Sequence, residues 1–142
     1  MNSTEPYWLR LEFPAAAVEI VRQALRAKLF RGSLRERVAK LLALNAALSA
    51  HYAVPLCRIS IRNTPHGPHY MPGRNQIVLD KISIVSYLHE FGHHILNARG
   101  LPQNETYPRA FSLGLFYRAA PRMFETARQA GRLLYTENKG DN

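Results

Sequence analysis

Cysteine is almost absent from this chain of 142 residues, which contains only Cys57. A single cysteine excludes an intramolecular disulfide framework and a cluster of thiolate metal ligands. Any metal ion must therefore be bound by histidine and carboxylate side chains. The lack of disulfides is compatible with a reducing compartment.

Long apolar runs are also missing. The longest, residues 41–50, is interrupted by Asn45 and is far shorter than the roughly 20 residues that cross a bilayer. Residues 1–10 lack the basic stretch and apolar core of a secretory signal. We therefore expect a cytoplasmic protein without membrane association. The length and the 46% hydrophobic content suit one compact domain over residues 1–142.

Acidic residues are scarce: 10 Asp and Glu stand against 19 Lys and Arg, which gives a formal net charge of +9. This imbalance favours a polyanionic partner, and nucleic acid is the commonest one. A solvated basic surface that aids solubility is the alternative, and charge alone does not choose between them. The positive charge is mostly arginine, in residues 22–37 and 109–132.

Two amphipathic helices are predicted in the first half of the chain. The first follows Pro14 and ends at Gly32, because apolar residues recur between them at helical spacing. Ser33 and Glu36 form a capping box for the second, which Pro55 stops. The expected apolar stripe of the second helix is Leu34, Val38, Leu41, Leu42 and Leu48.

The middle of the chain predicts a small β-sheet. Apolar and polar residues alternate over residues 56–62, the period of a half-buried strand, and residues 69–71 and 76–79 form a hairpin around the turn 72–75. A helix over residues 84–99 follows, capped by Ser83, and a last helical region begins near Pro108 and is bent or divided at Pro121. Residues 137–142 are expected to be a frayed polar tail. The fold class is α+β.

Residues 89–93 of the predicted motif helix read His-Glu-Phe-Gly-His. Residues four apart share one helix face, so His89 and His93 can direct their imidazoles at one ion, predicted to be Zn²⁺. Glu90 lies about 100° around the helix from His89, where it reaches a water molecule beside the ion as a general base. His94 points elsewhere and is expected to be a packed neighbour. A chance occurrence of this spacing is the alternative interpretation. The position of the motif in a predicted helix that follows a predicted strand argues against it.

A catalytic zinc site needs a third protein ligand. The astacin pattern is excluded, because it would require glycine at position 96 and histidine at position 99, where the chain has leucine and arginine. Glu105 is the first candidate, although an antiparallel return places residues near Ser112, rather than Glu105, level with the motif. The others are Glu125, His69 and His66.

The strand 76–79 and the helix segment 86–96 resemble the ImmA/IrrE family of small gluzincin metallopeptidases, which share a strand, a short link and a helix of the form H-E-x-G-H-x-x-L. The resemblance implies a minimal zincin-like fold with N-terminal helices, a small sheet, the motif helix and C-terminal helices. It implies a glutamate ligand on the next helix, which Glu105, ahead of Pro108, matches in part. SprT-like proteases share the layout but use a third histidine, and no histidine follows His94.

The resemblance further implies hydrolysis of a protein substrate in the cytoplasm, with DNA-binding repressors as the family's typical targets. We therefore expect a zinc metallopeptidase with Glu90 as general base and His89, His93 and Glu105 as metal ligands. The alternative is a basic nucleic-acid-binding or regulatory protein on an inactive zincin scaffold. A secreted effector protease would share the same site and differ only in its target.

Overall fold

The structure, a computed structural model, describes residues 6–133, so the predicted polar tail at 137–142 lies outside the described residues. Over this range the chain forms five α-helices and one three-stranded mixed sheet, which confirms the α+β class. The helices are α1 (Ala15–Arg26), α2 (Leu34–Tyr52), α3 (Ile84–Ala98), α4 (Thr106–Ala119) and α5 (Pro121–Gln129). The strands are β1 (Arg58–Ile61), β2 (His69–Met71) and β3 (Gln76–Leu79), and short 3₁₀ helices lie at Tyr7–Arg10 and Pro72–Arg74.

The sheet has the order β1-β3-β2. β1 runs parallel to β3, and β2 pairs with β3 in the antiparallel sense as the predicted hairpin. The central strand is the most buried, with Ile77, Val78 and Leu79 fully inaccessible. β3 leads through a short link into α3, so the sheet fixes where the motif helix begins.

The first two helices differ from their predicted form in detail. α1 ends at Arg26 rather than at Gly32, because Lys28 adopts a left-handed conformation with a φ of 61°. Leu29 is still buried, although it lies outside the helix. The capping box of α2 is confirmed, with the Ser33 side chain accepting from the backbone N–H of Glu36 and the Glu36 side chain accepting from that of Ser33.

The predicted apolar stripe of α2 is wrong at two positions. Leu34 and Leu42 are 56% and 47% exposed, while the buried face carries Asn45 among its leucines. Asn45 donates to the backbone oxygen of Cys57 at 3.0 Å and accepts from the hydroxyl of Tyr87 at 2.8 Å. An amide whose donor and acceptor are both hydrogen-bonded can be buried among leucines. A search for apolar residues at helical spacing does not detect such a position.

The helix α3 occupies the centre of the molecule. It packs against α4 along its length and against β2 and β3 on another side. Its apolar side chains, including Ile84, Leu88 and Ile95, are buried, and large aromatic side chains from α3 itself, α4 and α5 complete the core. The largest of these are Tyr87, Phe91, Phe111, Phe116 and Phe124. Within the described residues, we find no helix with the length and apolar character needed to cross a membrane.

Candidate metal centre

The motif histidines lie on one face of α3. The helix begins where predicted, with the Ser83 hydroxyl accepting from the N–H of Ser86, so the motif falls in its middle turns. The imidazole centroids of His89 and His93 are 5.1 Å apart, as expected for residues one turn apart. Both rings line a cavity of about 370 Å³ that opens beside β2.

Glu105 meets both histidines from the next element of the chain. After α3 ends, the chain turns at Gly100, which has a φ of 67°, and α4 begins directly after Glu105. The Glu105 carboxylate lies 3.1 Å from His89 Nε2 through Oε1 and 3.2 Å from His93 Nε2 through Oε2. Ligand atoms of the three residues all lie within 4.8 Å of one another.

The packing of α4 on α3 explains why Glu105 reaches the motif. Ser112 donates to the backbone oxygen of Val85, one turn before His89, rather than lying level with the centre of the motif. Pro108 packs directly on Gly92, where a Cβ would lie only 2.8 Å from the Pro108 Cα. Glu105 precedes Pro108 by about one helical turn and therefore stands beside the two histidines. Because Gly92 has no side chain, the backbone of α4 can approach α3 closely at this point.

The three residues offer the ligand chemistry of a zinc site, and their ligand atoms converge on one cavity. Zinc is bound by histidine nitrogen and carboxylate oxygen at about 2.0–2.2 Å with tetrahedral geometry, which separates neighbouring ligand atoms by roughly 3.3–3.6 Å. The Glu105 oxygens lie 3.1 and 3.2 Å from the two histidine nitrogens, each through a different oxygen, and one ligand atom from each of the three residues lies within 4.8 Å of the others. Two imidazoles and one carboxylate also leave a fourth position open, as in catalytic zinc sites.

Glu90 is buried beside these three residues and lines the same cavity. Burial, and then the nearby Glu105 carboxylate, raises the pKa of Glu90 from 4.5 to about 8. Both effects disfavour the charged form, because a buried carboxylate loses hydration and repels a like charge. Glu90 therefore exchanges a proton near neutral pH, a property suited to general acid–base chemistry.

His89 shows the opposite shift for a related reason. Burial, followed by the proximity of His93, lowers the pKa of His89 from 6.5 to about 4, and Glu105 opposes this only in part. A cationic imidazole is disfavoured in a buried position. At neutral pH His89 is therefore in the neutral form that binds metal ions.

Gln103, in the loop between α3 and α4, was not anticipated from the sequence. Its Oε1 lies 2.7 Å from Nδ1 of His93, and its Nε2 donates to the backbone oxygen of His93 at 2.9 Å. The side chain also lines the cavity. An amide in a polar loop carries no distinctive signal, so only the three-dimensional return of the loop reveals it.

The other ligand candidates do not join the three-residue group. Glu125 is on α5 and forms an ion pair with Arg128. His69 lines the cavity, but its Nδ1 donates to the backbone oxygen of Gly67 at 2.8 Å. His66 contacts the ring of His69, with centroids 6.4 Å apart. Among the described residues, the converging set is His89, His93 and Glu105.

His94 is a packed neighbour, as predicted. Its Nε2 donates to the backbone oxygen of Pro55 at 2.7 Å, so its Nδ1 accepts from the hydroxyl of Tyr70 at 2.6 Å. The ring is fully buried and joins β2, α3 and the segment before β1. Tyr70 lines the cavity, and its hydroxyl is held by His94 and by the amide of Asn97, which donates to it.

No protein-family model matches the chain, and comparisons with curated proteins and with solved structures give no significant match. Membership of the ImmA/IrrE family therefore remains a prediction from the motif and its neighbouring strand.

Proposed function

We propose that this protein is a zinc-dependent metallopeptidase with a minimal zincin-like fold. The observation that carries the proposal is the convergence of His89, His93 and Glu105 beside the buried Glu90 in one cavity. His89 and His93 share a short segment, whereas Glu105 arrives from another element. Three side chains of types suited to zinc, two imidazoles and one carboxylate, thus come together through tertiary structure as well as through the motif.

Zinc, when bound, supplies a Lewis acid that polarises a peptide carbonyl and makes water more acidic. Glu90 lies in the same cavity as the three residues, where its carboxylate would accept the proton of the attacking water and later return it to the leaving amine. His89, His93 and Glu105 fix the ion. The cavity wall from β2, including His69 and Tyr70, bounds the space left for a peptide substrate. The proposed substrate is accordingly a protein or peptide, and the proposed compartment is the cytoplasm.

Zinc binding tests the ligand set directly. Wild-type protein, stripped with a chelator and reloaded, is expected to hold one zinc per chain by elemental analysis, and Glu105→Gln is expected to weaken binding strongly. Glu125→Gln is the matched control, because Glu125 is a partly exposed glutamate with a salt bridge outside the cavity. Equal zinc affinity in Glu105→Gln and Glu125→Gln would contradict the proposed site.

Cleavage tests the role of Glu90. Incubation of the zinc-loaded protein with a proteome-derived peptide library, read by mass spectrometry, is expected to reveal new peptide termini. Glu90→Gln should retain zinc and lose these termini, since it keeps the ligands and removes the base. Cleavage by Glu90→Gln at the wild-type rate would rule out the mechanism.

The alternative, a nucleic-acid-binding or regulatory protein on an inactive scaffold, is favoured by the net charge of +9. It predicts salt-sensitive binding to DNA or RNA that survives His89→Ala. If the protein cleaves peptides in a zinc-dependent manner and binds no DNA or RNA at low salt, the nucleic-acid-binding alternative is excluded and the peptidase proposal is retained.

A further inference from the structure

We propose that Gln103 is a positioning residue that selects Nε2 of His93 as the metal-binding nitrogen. The proposal rests on the zinc site described above and concerns how that site is kept ready for the ion. Gln103 lies in the loop that joins α3 to α4, close to Glu105 in the chain. The loop reaches back along α3, which brings the Gln103 side chain to the His93 ring.

The hydrogen bonds of Gln103 define its orientation without reference to a metal. The backbone oxygen of His93 can only accept, so the atom of Gln103 that lies 2.9 Å from it must be the donating Nε2. The amide oxygen Oε1 then faces His93 Nδ1 at 2.7 Å. An amide oxygen also only accepts, and two acceptors do not approach so closely. Nδ1 of His93 therefore carries a ring proton.

The position of that proton decides which nitrogen is free for a metal. A neutral imidazole has one N–H, so a proton on Nδ1 leaves the lone pair on Nε2. Nε2 lies 3.2 Å from Oε2 of Glu105, on the side where the ligand atoms converge. Nε2 thus points at the proposed ion, and Nδ1, on the opposite side of the ring, is hydrogen-bonded to Gln103.

Glu105 makes this selection necessary. Its carboxylate is a strong acceptor close to His93 Nε2, so in the metal-free protein it favours the opposite tautomer, with the proton on Nε2. That tautomer would block the lone pair that a metal needs. Gln103 opposes it, because moving the proton to Nε2 would leave Oε1 facing a bare Nδ1. In metal sites, partners of this kind orient the ring and tune the ligand.

The test compares Gln103→Leu, which removes both hydrogen bonds, with Gln103→Glu, which keeps an acceptor for Nδ1. Gln129→Leu is the control for loss of an exposed glutamine distant from the site. Metal-free protein with ¹⁵N-labelled histidine is examined by NMR at pH 8, and zinc affinity is measured by competition with a chelator. We expect the His93 proton on Nδ1 in the wild type and on Nε2 in Gln103→Leu.

Zinc affinity in Gln103→Leu should fall by about 10- to 100-fold, the usual effect of losing such a partner, and Gln103→Glu, which keeps the acceptor for Nδ1 but loses the donor to the His93 backbone oxygen, should restore part of it. A proton on Nε2 in the wild type, or unchanged zinc affinity in Gln103→Leu, would overturn the proposal. A purely structural role would change the unfolding midpoint without moving the tautomer. If the wild type bound no zinc, the proposed function would fail, while the metal-free NMR comparison would still decide the role of Gln103.

Discussion

Replacing Gly92 by alanine tests the packing that brings Glu105 to the histidines. An alanine Cβ at this position would lie 2.8 Å from the Pro108 Cα and 3.2 Å from its Cβ. Carbon atoms pack at about 3.5–4.0 Å, so α3 and α4 would have to separate by about 1 Å. The obstructing atom belongs to the backbone, which no rotamer change can move aside.

Two effects of opposite sign determine the change in stability. Alanine favours a helix interior over glycine by about 1 kcal/mol. Overpacking a tight interface costs about 1–3 kcal/mol, and a backbone clash belongs at the upper end. We therefore expect Gly92→Ala to lower the free energy of unfolding by roughly 1–2 kcal/mol in urea denaturation of the metal-free protein.

The same displacement should weaken zinc binding. Glu105 lies one turn before Pro108 and moves with it, and ligand positions tolerate only about 0.5 Å of error. A tenfold or greater rise in the zinc dissociation constant is the expected order of magnitude. Wild-type zinc affinity in Gly92→Ala, together with equal or higher stability, would refute this account of the packing.

Two glycines separate the contributions of packing and site geometry. A Cβ at Gly114, further along α4, would lie 2.7 Å from the Phe13 ring and 2.9 Å from the Trp8 backbone oxygen. Gly114→Ala should therefore destabilise the fold while the zinc affinity of the folded protein stays near wild type. A Cβ at Gly73 meets no atom within 4 Å, so Gly73→Ala should change neither quantity.

Two further substitutions probe buried polar groups. The pKa of Glu90 in the folded chain, about 8, exceeds its ordinary 4.5, so ionisation opposes folding and the metal-free wild type should lose on the order of a few kcal/mol of stability from pH 5 to 8. Urea unfolding should show Glu90→Gln largely free of this loss, and parallel pH profiles for the two proteins would contradict the raised pKa of Glu90. Asn45→Ala leaves the Tyr87 hydroxyl and the Cys57 backbone oxygen without their amide partner, so the free energy of unfolding should fall by about 2–3 kcal/mol. Asn63→Ala, at an exposed position, should change it little. A loss of under about 0.5 kcal/mol in Asn45→Ala would show that the network contributes little.

The elements that the sequence predicts well are those governed by local chemistry. The Ser33 capping box, the hairpin 69–79 and the start of α3 all depend on residues only a few positions apart. The apolar stripe of α2 was partly wrong because its register depends on distant partners. Asn45 is buried only because Cys57 and Tyr87 satisfy it, and those contacts exist only in the folded chain.

The candidate site divides along the same line. His89 and His93 are related by the geometry of one helix, so their spacing alone predicts that they face one point. Glu105 reaches that point, and Gln103 reaches the opposite nitrogen of His93, through a loop whose path is not encoded in any local pattern. The sequence therefore leaves Glu125, His69 and His66 as open alternatives to Glu105. Among the described residues, the loop between α3 and α4 brings Glu105 to the two histidines, and the other three do not join this group.

Gly92 determines how closely α4 can approach the motif histidines, and thereby where Glu105 lies. An antiparallel return measured from the end of α3 suggests that residues near Ser112 face the motif, and this overlooks how closely the two helices pack. The contact of Gly92 with Pro108 sets the register instead, and one turn before Pro108 is Glu105. The glycine between the two histidines is thus the point at which α4 can approach α3 closely, and this contact sets the register of the two helices. Glu105, the proposed third ligand, lies about one turn before the residue that fills that gap, and Gly92→Ala and Glu105→Gln test this relation independently.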